Sequence, residues 1–289
     1  MYFGLSEEQQ FFQESIDKFL EDTVTVDALR SYRTGEDDNL IDDVFNGLNE
    51  LGLSGLIIPE EYGGLGLDSL FAISVSESLG KGVAPYPFIG SFLIAPFLIN
   101  KLGSDSQKQK YLPSIANGEY RFAVALTEMT GRRIEKGIQS SKQKLSGQSL
   151  FVMDDIHSTH YLILDSDGAL HIVEAEESGL EKVELKTVDI TSFVSELKLD
   201  QVKTEDLGNG PGNIDAIKQA INLGRVAIAA ETLGASQCML NRSVDYAKER
   251  KQFGRPIGSF QAVKHMCAQM ASDLEPCYSM VWYAAHSID

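Results

Sequence analysis

Arg250 closes a run of helical spacing, and Phe253, Gly254, Arg255 and Gln261 follow it across a turn. A guanidinium in that place has two readings. It is a solvated cation at a helix C-terminus, favoured by the helix dipole, or a planar, two-pronged donor to an anion. Arg132 and Arg133 pose the same choice in a loop, either as phosphate ligands or as solvated charges. Glu231 is a carboxylate on a helical face, where a solvated side chain is the ordinary reading and a catalytic base the sharper one. His157, His160 and His171 share one region but lack a third ligand at metal spacing, so no metal site is expected. Cys238, Cys267 and Cys277 form no C-x-x-C pair and are odd in number. Cys238 and Cys267 fall on apolar helical faces and are expected in the core.

Three kinds of chain must position these residues. From Ser6 the apolar spacing is helical, with Ser6 as N-cap and Phe11, Phe12, Ile16, Phe19 and Leu20 as an amphipathic stripe. Ile58 to Gly66 reads as a turn-rich loop, and Ala84-Pro85-Tyr86-Pro87 breaks a helix. From about Tyr120 the period shortens. Phe122–Leu126, Leu150–Val152, Tyr161–Leu164 and Leu170–Val173 are short β-type runs between Gly, Asp and Ser, which predicts a small barrel or sandwich. After Gly208-Asn209-Gly210-Pro211-Gly212 helical spacing returns, with Ile214, Ile217, Ile221, Val226, Ala230 and Leu233 in phase. The expected fold is therefore multidomain α+β. An N-terminal helical domain spans 1–118, a β domain 119–207, and the start of a C-terminal helical domain 208–289.

The 289 residues suffice for two or three domains. Against 25 basic side chains stand 42 acidic ones, a net charge of −17. Such a chain repels nucleic acid and anionic membranes, and a polyanionic ligand needs a local gathering of cations. No apolar run is long enough to span a bilayer. The N-terminus lacks the basic segment of a secretory signal. With the cysteine usage, this points to a cytoplasmic protein without disulfides.

One segment is more specific than any of these patterns. Tyr246-Ala247-Lys248-Glu249-Arg250-Lys251-Gln252-Phe253-Gly254-Arg255-Pro256-Ile257-Gly258-Ser259-Phe260-Gln261 resembles the acyl-CoA dehydrogenase signature Y-x-x-x-R-x-x-F-G-x-x-I-x-x-x-Q. Ile58 to Gly66, and Leu102-Gly103 through Tyr111-Leu112-Pro113 to Gly118-Glu119, agree in order and distance, so the resemblance covers nearly the whole chain. It implies a flavoprotein that uses FAD to oxidise an acyl-CoA thioester and passes electrons to an electron-transfer flavoprotein. It also implies a homo- or hetero-oligomer, because in the family this segment reaches a neighbour's FAD. Carried over residue by residue, Arg250 grips the diphosphate, Phe253 packs on the cofactor and Gln261 hydrogen-bonds to it. Thr127 and Phe151 line the flavin, and Arg225 falls at the substrate.

Two places depart from the pattern. The family loop T-E-P-G-x-G-S-D reads Thr127-Glu128-Met129-Thr130-Gly131-Arg132-Arg133 here, and the strand W-I-T-N-G reads Phe151-Val152-Met153-Asp154-Asp155. Met153 cannot supply the hydroxyl of the family's threonine. The reaction needs a carboxylate base, which the family places on a late helix or, in a minority, on the first C-terminal helix. That second position is Gly224 here, so no catalytic base is identified. The sequence reads as stopping before the family's last helices, and the chain by itself is expected to be inactive. The alternatives are a base-lacking partner subunit that completes the cofactor site of a heteromeric dehydrogenase, as for sterol side chains, or an acyl-CoA oxidase-like flavoprotein.

Overall fold

The computed structural model describes residues 5–36, 39–127, 137–208, 210 and 213–288. Helices, a sheet and helices follow one another along the chain, as the change of hydrophobic period predicts. Contacts group the chain into two units. The first holds Met1–Thr25, Ser69–Ala84 and Val226–Asp289, the second Val26–Asp68 and Pro85–Arg225.

In the first unit, α1 (Glu7–Thr23) opens with a capping box between Ser6 and Gln9, which satisfies two backbone donors that a bare helix end would leave open. Ile16 and Leu20 are buried, on the side that meets α4 (Ser69–Gly82). Phe12 and Phe71 meet edge to face at 5.3 Å, and Gln13 Nε2 donates to the Ser74 carbonyl at 3.2 Å. The long helix α7 (Ile214–Glu249) crosses α4 at van der Waals range of the backbones. A Cβ on Gly80 would fall 2.0 Å from the Glu231 carbonyl oxygen, and one on Gly234 would fall 1.9 Å from that of Glu77. Glycine is the side chain that fits at both. The last helix, α8 (Gln261–His286), buries only Val281 and Ala285. Cys238 and Cys267, expected in the core, are accordingly half-buried.

The second unit contains α2 (Val26–Thr34), α3 (Leu40–Glu50), a seven-residue π-helix (Phe88–Ile94), α5 (Ala95–Leu102) and α6 (Asp105–Ala116). Phe45, Tyr86 and Phe92 form an aromatic cluster with centroids 5.3–6.1 Å apart. Beside it lies a curled, mixed sheet ordered β6-β7-β3-β1-β4-β5-β8, with β2 on β3. Its strands are β1 (Phe122–Ala125), β2 (Gln139–Ser141), β3 (Lys144–Met153), β4 (His160–Leu164), β5 (Leu170–Glu174), β6 (Leu180–Glu184), β7 (Val194–Lys203) and β8 (Glu205–Asp206). Only the β1–β4 pair is parallel among these ladders. Ala123, Val152, Tyr161, Ile163, Leu197 and Leu199 belong to its buried cluster. Tyr111 of α6 donates its hydroxyl to Glu205 Oε2 at 2.7 Å, which ties the helices to β8.

The α4–α7 crossing gives a direct test. Gly234→Ala pushes a methyl group into backbone that cannot turn aside, so unfolding free energy should fall by about 1–3 kcal/mol. Urea unfolding of wild type and variant measures it, and an unchanged midpoint would contradict the crossing.

Candidate cofactor and substrate site

The residues singled out in the sequence fall into two groups. Arg250, Phe253 and Gln261 belong to the first unit, and Thr127, Phe151, Gly224 and Arg225 to the second.

In the first unit, α7 ends where the Arg250 N–H donates to the Tyr246 carbonyl at 2.8 Å. The Arg250 carbonyl then accepts from the Ile257 N–H at 2.7 Å, closing a hairpin of β9 (Lys251–Gln252) and β10 (Arg255–Pro256). Its two-residue loop is Phe253-Gly254, with φ of 55° and 77°. Positive φ at both central positions is what a type I′ hairpin turn requires, because its twist matches that of the strands. The turn holds Phe253 at the tip, 90% exposed, with its ring edge to face with Phe260 at 6.0 Å. Arg255 lies over the Phe260 ring at 4.2 Å. Arg250, Lys251 and Arg255 thus gather at one hairpin of an acidic chain, all of them solvent-facing, while Lys248 on the helix before it pairs with Asp245 at 3.2 Å. Among the described residues no carboxylate forms an ion pair with Arg250 or Arg255. Gln261 begins α8 and is exposed.

In the second unit, β3 carries an irregularity between Ser149 and Val152 against β7. Phe151 sits within it at φ 55° and is 62% exposed. Bulges re-aim side chains in this way, and a left-handed phenylalanine persists only where its surroundings hold it. Thr127 Oγ1 lies 2.9 Å from Ser149 Oγ, which brings Thr127 beside the strand that carries Phe151. The rest of that loop, with Glu128, Arg132 and Arg133, lies outside the described residues.

Asp154 has a role that the sequence did not reveal. It leaves β3 at φ 58°, and its carboxylate accepts from the backbone N–H groups of Gly90 and Ser91 in the π-helix. Burial pushes this carboxyl up from its ordinary 3.8 to about 6, with the two N–H groups opposing. Ser91 Oγ in turn donates to the Phe122 carbonyl at 2.7 Å, so the π-helix is anchored to β1 as well. The other flank of the π-helix fills the space at Gly224. A Cβ there would lie 2.7 Å from Ile94 Cδ1 and 3.5 Å from Ile89 Cγ2. The position considered for a base is therefore a packed apolar contact. Arg225, next along α7, is exposed and donates to Asn222 Oδ1 at 3.2 Å. Glu231 is half-buried on the same helix. The histidines serve the sheet. His160 lies among the rings of Tyr111, Tyr120 and Phe122, and both nitrogens of His171 sit 2.9 Å from carboxylates, of Asp165 and Asp206.

Two family profiles match the chain: the acyl-CoA dehydrogenase N-terminal domain over residues 6–119 and the acyl-CoA dehydrogenase C-terminal domain over residues 213–289. The chain belongs to the acyl-CoA dehydrogenase family. The 3-(aryl)acrylate reductase of Clostridium sporogenes is 32% identical over 82% of this chain and 69% of its own length. An acyl-CoA dehydrogenase of Bacillus subtilis is 31% identical over 81% and 67%. A chain of the ChsE4–ChsE5 complex from Mycobacterium tuberculosis superposes with a TM-score of 0.87 at 26% identity, covering 100% of this chain and 79% of that one. Acyl-CoA dehydrogenases are FAD flavoproteins, and the donor set here fits that cofactor. At the hairpin, guanidinium groups with no carboxylate partner among the described residues suit a diphosphate, and the exposed Phe253 ring suits a planar heterocycle. No helix of the described residues is long and apolar enough to cross a membrane.

The half-buried Asp154, held by two backbone N–H groups, makes stability depend on pH. Its proton is held more tightly in the folded state, so the folded state binds more protons than the unfolded one between about pH 4 and 6. Its contribution is thus fully present below the ordinary carboxyl range and is lost as pH rises through about 6. The amount is on the order of 3 kcal/mol at most. Asp154→Asn keeps an acceptor for Gly90 and Ser91 and removes the titration. Denaturant midpoints at acid and neutral pH should show the difference between wild type and variant closing as pH falls. A constant difference would sink this assignment.

Proposed function

We propose that this chain binds FAD and takes part in α,β-dehydrogenation of an acyl-CoA thioester, with an electron-transfer flavoprotein as its redox partner. The observation that carries the reading is the Phe253-Gly254 hairpin, where cations and an exposed ring stand together in a chain of net charge −17. When bound, FAD accepts a hydride equivalent from the substrate. Arg250 holds the diphosphate, Gln261 donates or accepts at the cofactor's polar edge, and Phe253 covers it from water. Thr127 offers a hydroxyl and Phe151 a ring to the flavin. Arg225 serves the anionic part of the thioester. Arg250 and Phe253 act on the cofactor of a neighbouring subunit, so occupancy rises with association.

A second reading is favoured by position 224. Ile94 fills the space a side chain would need there, which suits a subunit that completes a partner's cofactor site and does not itself supply a base. The similarity to one chain of a two-component complex supports it.

FAD titration of wild type, Arg250→Ala and Arg250→Lys tests the leading reading. A charge-assisted bidentate contact contributes about 1.5–3 kcal/mol, so Arg250→Ala should weaken binding by roughly ten- to a hundred-fold. Helical content should not change. Arg250→Lys should recover part, since an ammonium cannot span two oxygens in one plane. Sedimentation run in parallel should show FAD-loaded protein as an oligomer, and equal affinities or a tightly binding monomer would count against the proposal. Anaerobic mixing with acyl-CoA separates the two readings. Flavin bleaching by the chain alone supports the enzyme, whereas bleaching only after a second family chain is added supports the completing subunit.

A further inference from the structure

Strand β3 carries a polar side chain where the sheet around it is apolar. Ser149 is 1% exposed. It stands between Leu145 and Val152 of its own strand and opposite Leu197 of β7, all three of them in the sheet's buried cluster. A hydroxyl in such a place costs stability unless it is hydrogen-bonded. Its partner is Thr127 Oγ1 at 2.9 Å, just beyond β1, and among the described residues this is the one hydrogen bond that the Ser149 side chain makes.

That contact fixes which hydroxyl donates. Each of the two carries a proton and can also accept. Were Thr127 the donor, the Ser149 proton would be buried without an acceptor, an arrangement that folded proteins avoid. Ser149 therefore donates to Thr127 Oγ1. Thr127 is half-buried, so its own proton stays available on the side away from Ser149. A hydroxyl that already accepts a hydrogen bond is also a somewhat better donor, because the two bonds polarise one another.

We propose that Ser149 is a positioning residue: by donating to Thr127 it makes that hydroxyl a hydrogen-bond donor of set direction, aimed at an acceptor atom of the flavin ring. The inference rests on the cofactor reading of Thr127 given above, and adds to it a residue and a polarity. A flavin ring presents carbonyl oxygens and ring nitrogens as acceptors, which suits a donor held in one direction. The opposite polarity would leave Thr127 able only to accept from a ligand N–H.

FAD titrations of the full chain, followed by flavin fluorescence, compare wild type with Thr127→Val, Ser149→Ala and the double variant. Thr127→Val removes the donor and should weaken binding by about tenfold. Ser149→Ala should weaken it by about three- to tenfold, since the Thr127 hydroxyl is then free to rotate. In the Thr127→Val background Ser149→Ala should cost no further affinity. The absorption band of bound flavin should move in the same direction in both single variants. A serine that merely fills space would lower affinity equally in both backgrounds, and that result overturns the proposal. Unchanged or tighter binding by Ser149→Ala also overturns it, because under the opposite polarity this change releases the Thr127 proton. If Ser149→Ala fails to fold, Ser149→Cys, similar in size and a weak donor, takes its place under the same criteria. Failure of wild type to bind FAD sinks the cofactor reading and this inference together. Binding by wild type with no loss in Ser149→Ala sinks this inference alone.

Discussion

Two helices of the first unit touch backbone to backbone, and much of that unit follows from it. With Gly80 over the Glu231 carbonyl and Gly234 over that of Glu77, α4 and α7 lie closer than side chains would allow. That closeness fixes α4 in rotation. One face of α4 meets α7, and another receives Phe12, Gln13 and Leu20 of α1. Glu77 shares a turn with these contacts and is half-buried. Burial first, then the charge of Asp17, raises its carboxyl from the ordinary 4.5 to about 7, with Lys81 opposing.

The second unit is organised by an analogous restraint of a different kind. An apolar stretch, Phe88–Ile94, is wound as a π-helix whose first turn leaves the Gly90 and Ser91 N–H groups without helical acceptors, and Asp154 takes them. π-helical turns often mark functional segments. Here the segment touches β1, the end of β3 and position 224. Its energetic tension is visible in Asp154, a carboxyl buried for the sake of two backbone donors.

The order of helices, strands and helices was legible because apolar period is a property of long segments, and the Ser6–Gln9 cap was legible because its chemistry is local. A turn at Phe253-Gly254 was legible, but not its type, because phenylalanine is not a residue that a type I′ turn favours at its first central position. Other features were not. The π-helix is apolar on all sides, so its sequence carries no period to read. Strand β7 does alternate, with Leu197 and Leu199 inward, but its many charges resemble a loop. Edge strand β6 has no fully buried residue at all. Asp154 at a strand end reads as an ordinary turn residue, and its meaning comes from a segment sixty-four positions away. The cysteines on α7 and α8 were misjudged because an apolar helical face announces that it is to be covered without saying by what.

The Phe253-Gly254 loop has a thermodynamic consequence. A ring at the tip of an ordinary loop must be immobilised when it meets a ligand, which costs conformational entropy at that moment. Here two positive φ values and a short ladder preset the backbone at the tip, and the Phe260 ring lies against Phe253 at 6.0 Å. The strain of a left-handed phenylalanine is borne once, during folding. A ligand that docks on the tip then meets a surface with little freedom left to surrender, so affinity there is set by desolvation and fit more than by ordering.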